Sequence, residues 1–143
     1  DPRFIAALPQ APGGAAIFAG GGLADVAIPT MIQAGTLDET TPLEPEAITP
    51  FAELPSPSYL VIVAGAGHFS FSDMCALVAV LGLSVEEFDD GCGPDNLPAA
   101  DVHAIANRYA VAFLERFVTK NADHDAELAA GAATPAAVEL EVK

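Results

Sequence analysis

Two side chains in this chain could work as a proton-transfer pair. Asp38 lies in the stretch Ile28 to Pro42, just past an apolar run, and His68 follows Gly65-Ala-Gly67 at the end of a second apolar run. In an open α/β sheet, the loops beyond the carboxyl ends of the strands are where side chains converge on a ligand. An imidazole there can take and return a proton, and a carboxylate can hold it in one tautomer and stabilise the imidazolium. The small residues before His68 let the backbone turn tightly and present the ring to a cleft. Glu39 competes with Asp38 for the acid role, and each position also has a plainer use. A turn aspartate serves backbone hydrogen bonds, and a lone histidine is often structural. Asp73 reads as a first-turn residue favoured by a helix dipole. His103, within a helical stretch, and His124, in a polar stretch, read as structural or exposed.

The elements that must position the pair follow from periodicity. Strands are expected at Arg3 to Leu8, Ile28 to Ala34 and Tyr59 to Ala64, the last a continuous apolar run of the kind found in parallel sheets covered on both faces. Residues 9–22, rich in Pro and Gly, read as a loop. Residues 42–54 read as a weak helix broken by Pro50, since proline lacks a donor and clashes with the preceding turn. A short helix is expected from Ser72 to Leu81 with Ser72 as N-cap. A longer one runs from Pro98 to Val118, where Val102, Ile105, Ala106, Tyr109, Ala110, Phe113 and Phe117 share one face. The acidic, Ala-rich residues 120–143 read as a tail, ordered only in part.

Three patches resemble the C-terminal half of an α/β-hydrolase: Phe4 to Pro12, Ile28 to Pro42, and Gly65 to Cys75. The likeness is to bacterial esterases of the dienelactone hydrolase, platelet-activating-factor acetylhydrolase and polyester hydrolase type, and it spans residues 1–119. It implies an α/β fold with a mostly parallel sheet flanked by helices, and a Ser-His-Asp triad with Asp38, rather than Glu39, as the acid and His68 as the base. It implies a small ester as substrate, with no cofactor and no metal. Phe69, beside His68, and Gly13, at the cleft rim, are the expected substrate-binding residues. Gly13 stands where resembling polyester hydrolases place an aromatic, which leaves a more open pocket.

The family carries its nucleophile in a Gly-x-Ser-x-Gly elbow upstream of the acid and the histidine. The serines here are Ser56, Ser58, Ser70, Ser72 and Ser84, and none sits between glycines at that spacing. The resemblance therefore implies a partner, the N-terminal half of the same hydrolase, bearing the serine and the oxyanion-hole amides and completing the sheet. The competing expectation is a non-catalytic hydrolase-like module for binding or assembly. An acyltransferase or lyase of the same fold would share Asp38 and His68.

Composition narrows the remaining classes. The 143 residues suit one domain, 52% are hydrophobic, and the mean hydropathy is +0.40. Five Lys and Arg stand against twenty Asp and Glu, a net charge of −15. That balance argues against nucleic acid, whose phosphates need basic partners, and against anionic membrane surfaces. No apolar run reaches the length of a membrane span. The three histidines are too scattered for a zinc site, and Gly20-Gly-Gly22 lacks the Gly-Lys-Ser/Thr ending of a phosphate loop. Cys75 and Cys92 are expected to form a disulfide rather than remain two buried thiols, because Asp89 to Pro94 is polar and turn-like. A loop of that length is worth about 3 kcal/mol when closed. A structural disulfide points to a secreted or periplasmic protein.

Overall fold

A computed structural model describes residues 1–143. Its centre is a three-stranded mixed sheet of β1 (Thr30–Gly35), β2 (Ser58–Val63) and β3 (Val138–Val142), in that order. β1 and β2 run parallel, with Met31 opposite Tyr59 and Gly35 opposite Val63. β3 runs antiparallel to β2.

Every residue of β1 and β2 is buried. Successive strand side chains point to opposite faces, so a strand covered on both sides reads as the unbroken apolar run seen in the sequence. One face carries Met31, Tyr59, Val61 and Val63 and packs against Val102, Tyr109 and Phe113 of α4 (Ala99–Leu114). The other carries Ile32, Ala34, Leu60 and Ile62 and packs against Ala47, Phe51 and Leu54, on and beside α1 (Thr49–Glu53). The periodic face of α4 is the face that is buried, and a π turn from Glu115 to Thr119 extends the helix. α2 (Met74–Leu81) begins two residues later than expected, and the Ser72 hydroxyl accepts the Met74 N–H at 3.3 Å. α3 (Asp89–Cys92) is one distorted turn. No helix is long and apolar enough to cross a membrane.

Three expectations about elements change. The expected first strand pairs with β1 only through isolated bridges at Ala7 and Gln10. Ala7 N donates to Pro29 O, Met31 N to Ala7 O, Gln33 N to Pro9 O and Ala11 N to Gln33 O. Pro9, having no N–H, interrupts the ladder between them. Pro50 does not break the helical stretch after Pro42. A π turn over Glu44–Ile48 runs into α1, and the helical stretch carries Pro50 at the second position of α1.

The third change concerns residues 120–143, which are not a loose tail. Val138, Leu140 and Val142 alternate with Glu139 and Glu141, a period of two. Those residues form β3, which covers the edge of β2 that would otherwise be open. Lys143 then places its Nζ against the carbonyls of Phe51 (3.0 Å), Ala52 (3.0 Å) and Leu54 (2.7 Å) at the end of α1.

Candidate functional site

β1 and β2 finish side by side, and their ends are stitched together. Thr36 N donates to Val63 O, and Leu37 N donates to Ala66 O. Gly65 N donates to the Thr36 hydroxyl at 2.9 Å. A Cβ on Gly35 would lie 2.1 Å from Ala66 O, so only glycine allows this approach. The two loops that leave these strands are therefore neighbours, and they carry Asp38 and His68.

Asp38 Oδ2 lies 3.2 Å from His68 Nδ1. The carboxylate side chain is 1% exposed and the imidazole 26%. A carboxylate only accepts hydrogen bonds, so Nδ1 carries the proton, which leaves Nε2 as the ring's free base. Nε2 has no hydrogen-bond partner within the chain. Glu39, the competing acid, contributes only its backbone N–H, to Asp90.

Thr41 completes the geometry, and the sequence reading did not single it out. Its N–H donates to Asp38 Oδ1 at 2.6 Å, and its hydroxyl donates to Asp38 Oδ2 at 2.9 Å. The same hydroxyl oxygen lies 3.1 Å from His68 Nδ1. Asp38 thus bonds its own backbone three residues on, a turn arrangement typical of Asp, while also facing the imidazole. The signal available was Asp-x-x-Thr directly after a strand.

Asp90 is the second residue missed. Its Oδ2 accepts Glu39 N–H (3.2 Å), Thr40 N–H (2.8 Å) and the Thr40 hydroxyl (2.6 Å), and its Oδ1 accepts His68 N–H at 2.9 Å. Partial burial pushes this carboxyl up, but the hydrogen bonds from Thr40, His68 and Glu39 outweigh it and hold the group below its ordinary value. Its distance in sequence from both loops hid it.

Phe69 sets its ring edge-on to His68, 5.5 Å between centroids, and is itself met by Phe88 at 5.5 Å. Gly13 packs on Thr41, where a Cβ would come within 2.8 Å of Cγ2. It also lines an open apolar groove of about 290 Å³ with Pro12, Phe18, Ile32 and Leu54. Gly13 thus meets the dyad through Thr41, and Phe69 meets it directly. Cys75 and Cys92 are bonded to each other, so no free cysteine remains.

None of the five serines bonds to His68. Ser70 is buried, accepting Gly67 N–H and donating to Gly91 O. Ser72, just before α2, accepts the Met74 N–H and donates to Phe69 O, Ser58 lies within β2, and Ser56 and Ser84 are exposed. Asp73 precedes α2 without a capping hydrogen bond from its side chain. His103 Nε2 meets Ser72 O at 3.1 Å, and His124 pairs with Glu127 and Glu115 on the surface. No group of three or more His, Cys, Asp or Glu side chains is arranged to hold a metal ion.

No family model matches the chain, and no curated protein matches it.

Proposed function

We propose that this chain is the base-bearing part of a serine carboxylic-ester hydrolase, the C-terminal half of an α/β-hydrolase, with its nucleophilic serine on a segment outside these residues. The observation that carries the reading is the 3.2 Å contact between Asp38 and His68 Nδ1, combined with an Nε2 that has no partner in the chain. His68 Nε2 would remove the serine proton as the hydroxyl attacks the ester carbonyl. It would then return that proton to the departing alcohol, and deacylation by water would repeat the two transfers. Asp38 would hold the Nδ1–H tautomer and stabilise the imidazolium, and Thr41 would fix the carboxylate. The oxyanion-hole amides would come with the serine, since one of them belongs to the residue after the nucleophile. Phe69 and Gly13 would border the substrate. The chemistry needs no metal or organic cofactor.

Exposed apolar surface supports the partner segment. Phe4 and Ile5 are 66% and 51% exposed beside the unpaired edge of residues 5–11, and Val111, Leu114 and Val118 form a stripe along the outside of α4 and its π turn. Apolar patches of this kind mark surfaces that meet another segment. The disulfide favours secretion or a periplasmic location.

The test is to treat the intact protein with a fluorophosphonate probe and map the label. Labelling of a serine outside these residues is the expected result, and modification of Ser56, Ser58, Ser70, Ser72 or Ser84 would contradict the proposal. His68→Ala should abolish turnover of a p-nitrophenyl ester while leaving the circular-dichroism spectrum unchanged. The competing reading is a non-catalytic binding or assembly module, which fits the lack of any serine bonded to His68 equally well. A purified 14.6 kDa species that stays monodisperse without a companion segment and resists the probe would decide for it.

A further inference from the structure

Asp90 connects the two loops that carry the acid and the histidine. Both of its oxygens are used. Oδ2 collects Glu39 N–H, Thr40 N–H and the Thr40 hydroxyl, one and two residues after Asp38, and Oδ1 takes the backbone N–H of His68 itself at 2.9 Å. The loops cannot separate without breaking bonds to a charged acceptor, which are stronger than bonds between neutral groups.

The turn that carries Asp90 is itself fixed by its neighbours. Gly91 sits at φ 124°, and a Cβ there would lie 2.5 Å from Ser70 N, so this turn fits against the His68 turn only as glycine. From the other side, a Cβ on Gly67 would come within 2.5 Å of Gly91 N and 2.7 Å of Asp90 Oδ1. Asn96 Oδ1 accepts both Gly91 N–H and Gly93 N–H at 3.1 Å. The bond from Cys92 to Cys75 then fastens the turn to α2.

We propose that Asp90 is a positioning residue, whose carboxylate clamps the Asp38 loop to the His68 loop and so sets the distance between acid and imidazole. The proposal rests on the reading of Asp38 and His68 as acid and base. Displacements on the ångström scale at such a pair cost up to about a hundredfold in rate. Asn at this position offers one acceptor oxygen and an amide that donates, so it cannot serve both loops.

The experiment compares wild type with Asp90→Asn in the intact, disulfide-bonded protein. Two quantities are read: the low-field NMR signal of the His68 Nδ1–H proton, and kcat and KM for a p-nitrophenyl ester. The variant is expected to lose or broaden the Nδ1–H signal, and to lose about ten- to a hundredfold in kcat at nearly constant KM. An unchanged signal together with unchanged kcat overturns the clamp. If wild type hydrolyses no ester, the hydrolase reading fails, and the NMR comparison alone still decides the clamp. If Asp90→Asn does not fold, Thr40→Val, which deletes only the hydroxyl donor at 2.6 Å, is read by the same signal. A Thr40→Val protein with an undisturbed Nδ1–H resonance overturns the clamp as well.

Discussion

At the scale of single residues, the site depends on how few protons are shared among close acceptors. Thr41 supplies one hydroxyl proton to Asp38 and leaves its oxygen against the imidazole, so the carboxylate can neither rotate nor drift from Nδ1. Thr41→Val should lower kcat for ester turnover about tenfold, equivalent to about 1.4 kcal/mol, with little change in KM. An unaffected kcat in steady-state kinetics would remove Thr41 from the arrangement. Asp90 also predicts a pH dependence. Its pKa in the folded chain is lowered from 3.8. Its contribution to stability is therefore fully present above that value and is lost as pH falls through the lower folded one. Urea unfolding between pH 5 and about pH 2 should show wild type losing stability more steeply than Asp90→Asn. Parallel curves would mean that the carboxylate is not held by its donors.

Elements are held here by devices at their ends. α1 is short and has no periodic apolar stripe long enough to stand alone, but its final carbonyls are met by Lys143 from the end of β3. A cation at a helix C-terminus is favourable, both for its hydrogen bonds and for the helix dipole. Lys143→Met should destabilise the fold by about 1–2 kcal/mol, seen as a lower urea midpoint. A midpoint that does not move would show the contact to be idle. The Cys75–Cys92 bond acts on α2 and α3 in the same way. Closing a loop of this length restricts the unfolded chain and is worth about 3 kcal/mol. Reduction should cost roughly that amount and speed hydrogen exchange at the His68 amide, because the Asp90 turn loses its tether. Unaltered exchange after reduction would separate the disulfide from the site.

For the molecule as a whole, β2 is covered on both sides, whereas the β1 side of the sheet ends on a segment that is only bridged to it. β3 covers β2, whereas the amides of Ala6, Leu8 and Gln10 have no backbone acceptor in the chain. Phe4 and Ile5 expose apolar surface at the same edge. Natural sheets seldom leave such an edge uncovered. On the proposed function, a strand of the nucleophile-bearing segment pairs there, and hydrogen–deuterium exchange of the complete protein should find those three amides protected. Exchange at the rate of free peptide would remove the partner strand from the proposal. A net charge of −15 favours solubility in a chain with exposed apolar patches.

The pattern of residues alone determined the two central strands, the long helix and the placement of Asp38 and His68 just past strand ends. Those features are local, because apolar runs and helical periodicity are written in consecutive residues and report which faces are buried. It also supported the cysteine pairing, through the polar setting of Cys92. Tertiary structure decided that β3 closes the sheet, that Pro50 sits inside a helical stretch, and that Thr41 and Asp90 complete the site. Thr41 acts through a hydroxyl oxygen set against the imidazole of a residue 27 positions along the chain, and Asp90 bonds loops 50 and 22 residues away. Such contacts are fixed by how the strands register and how closely two glycine turns can approach, and neither leaves a periodic trace in the sequence.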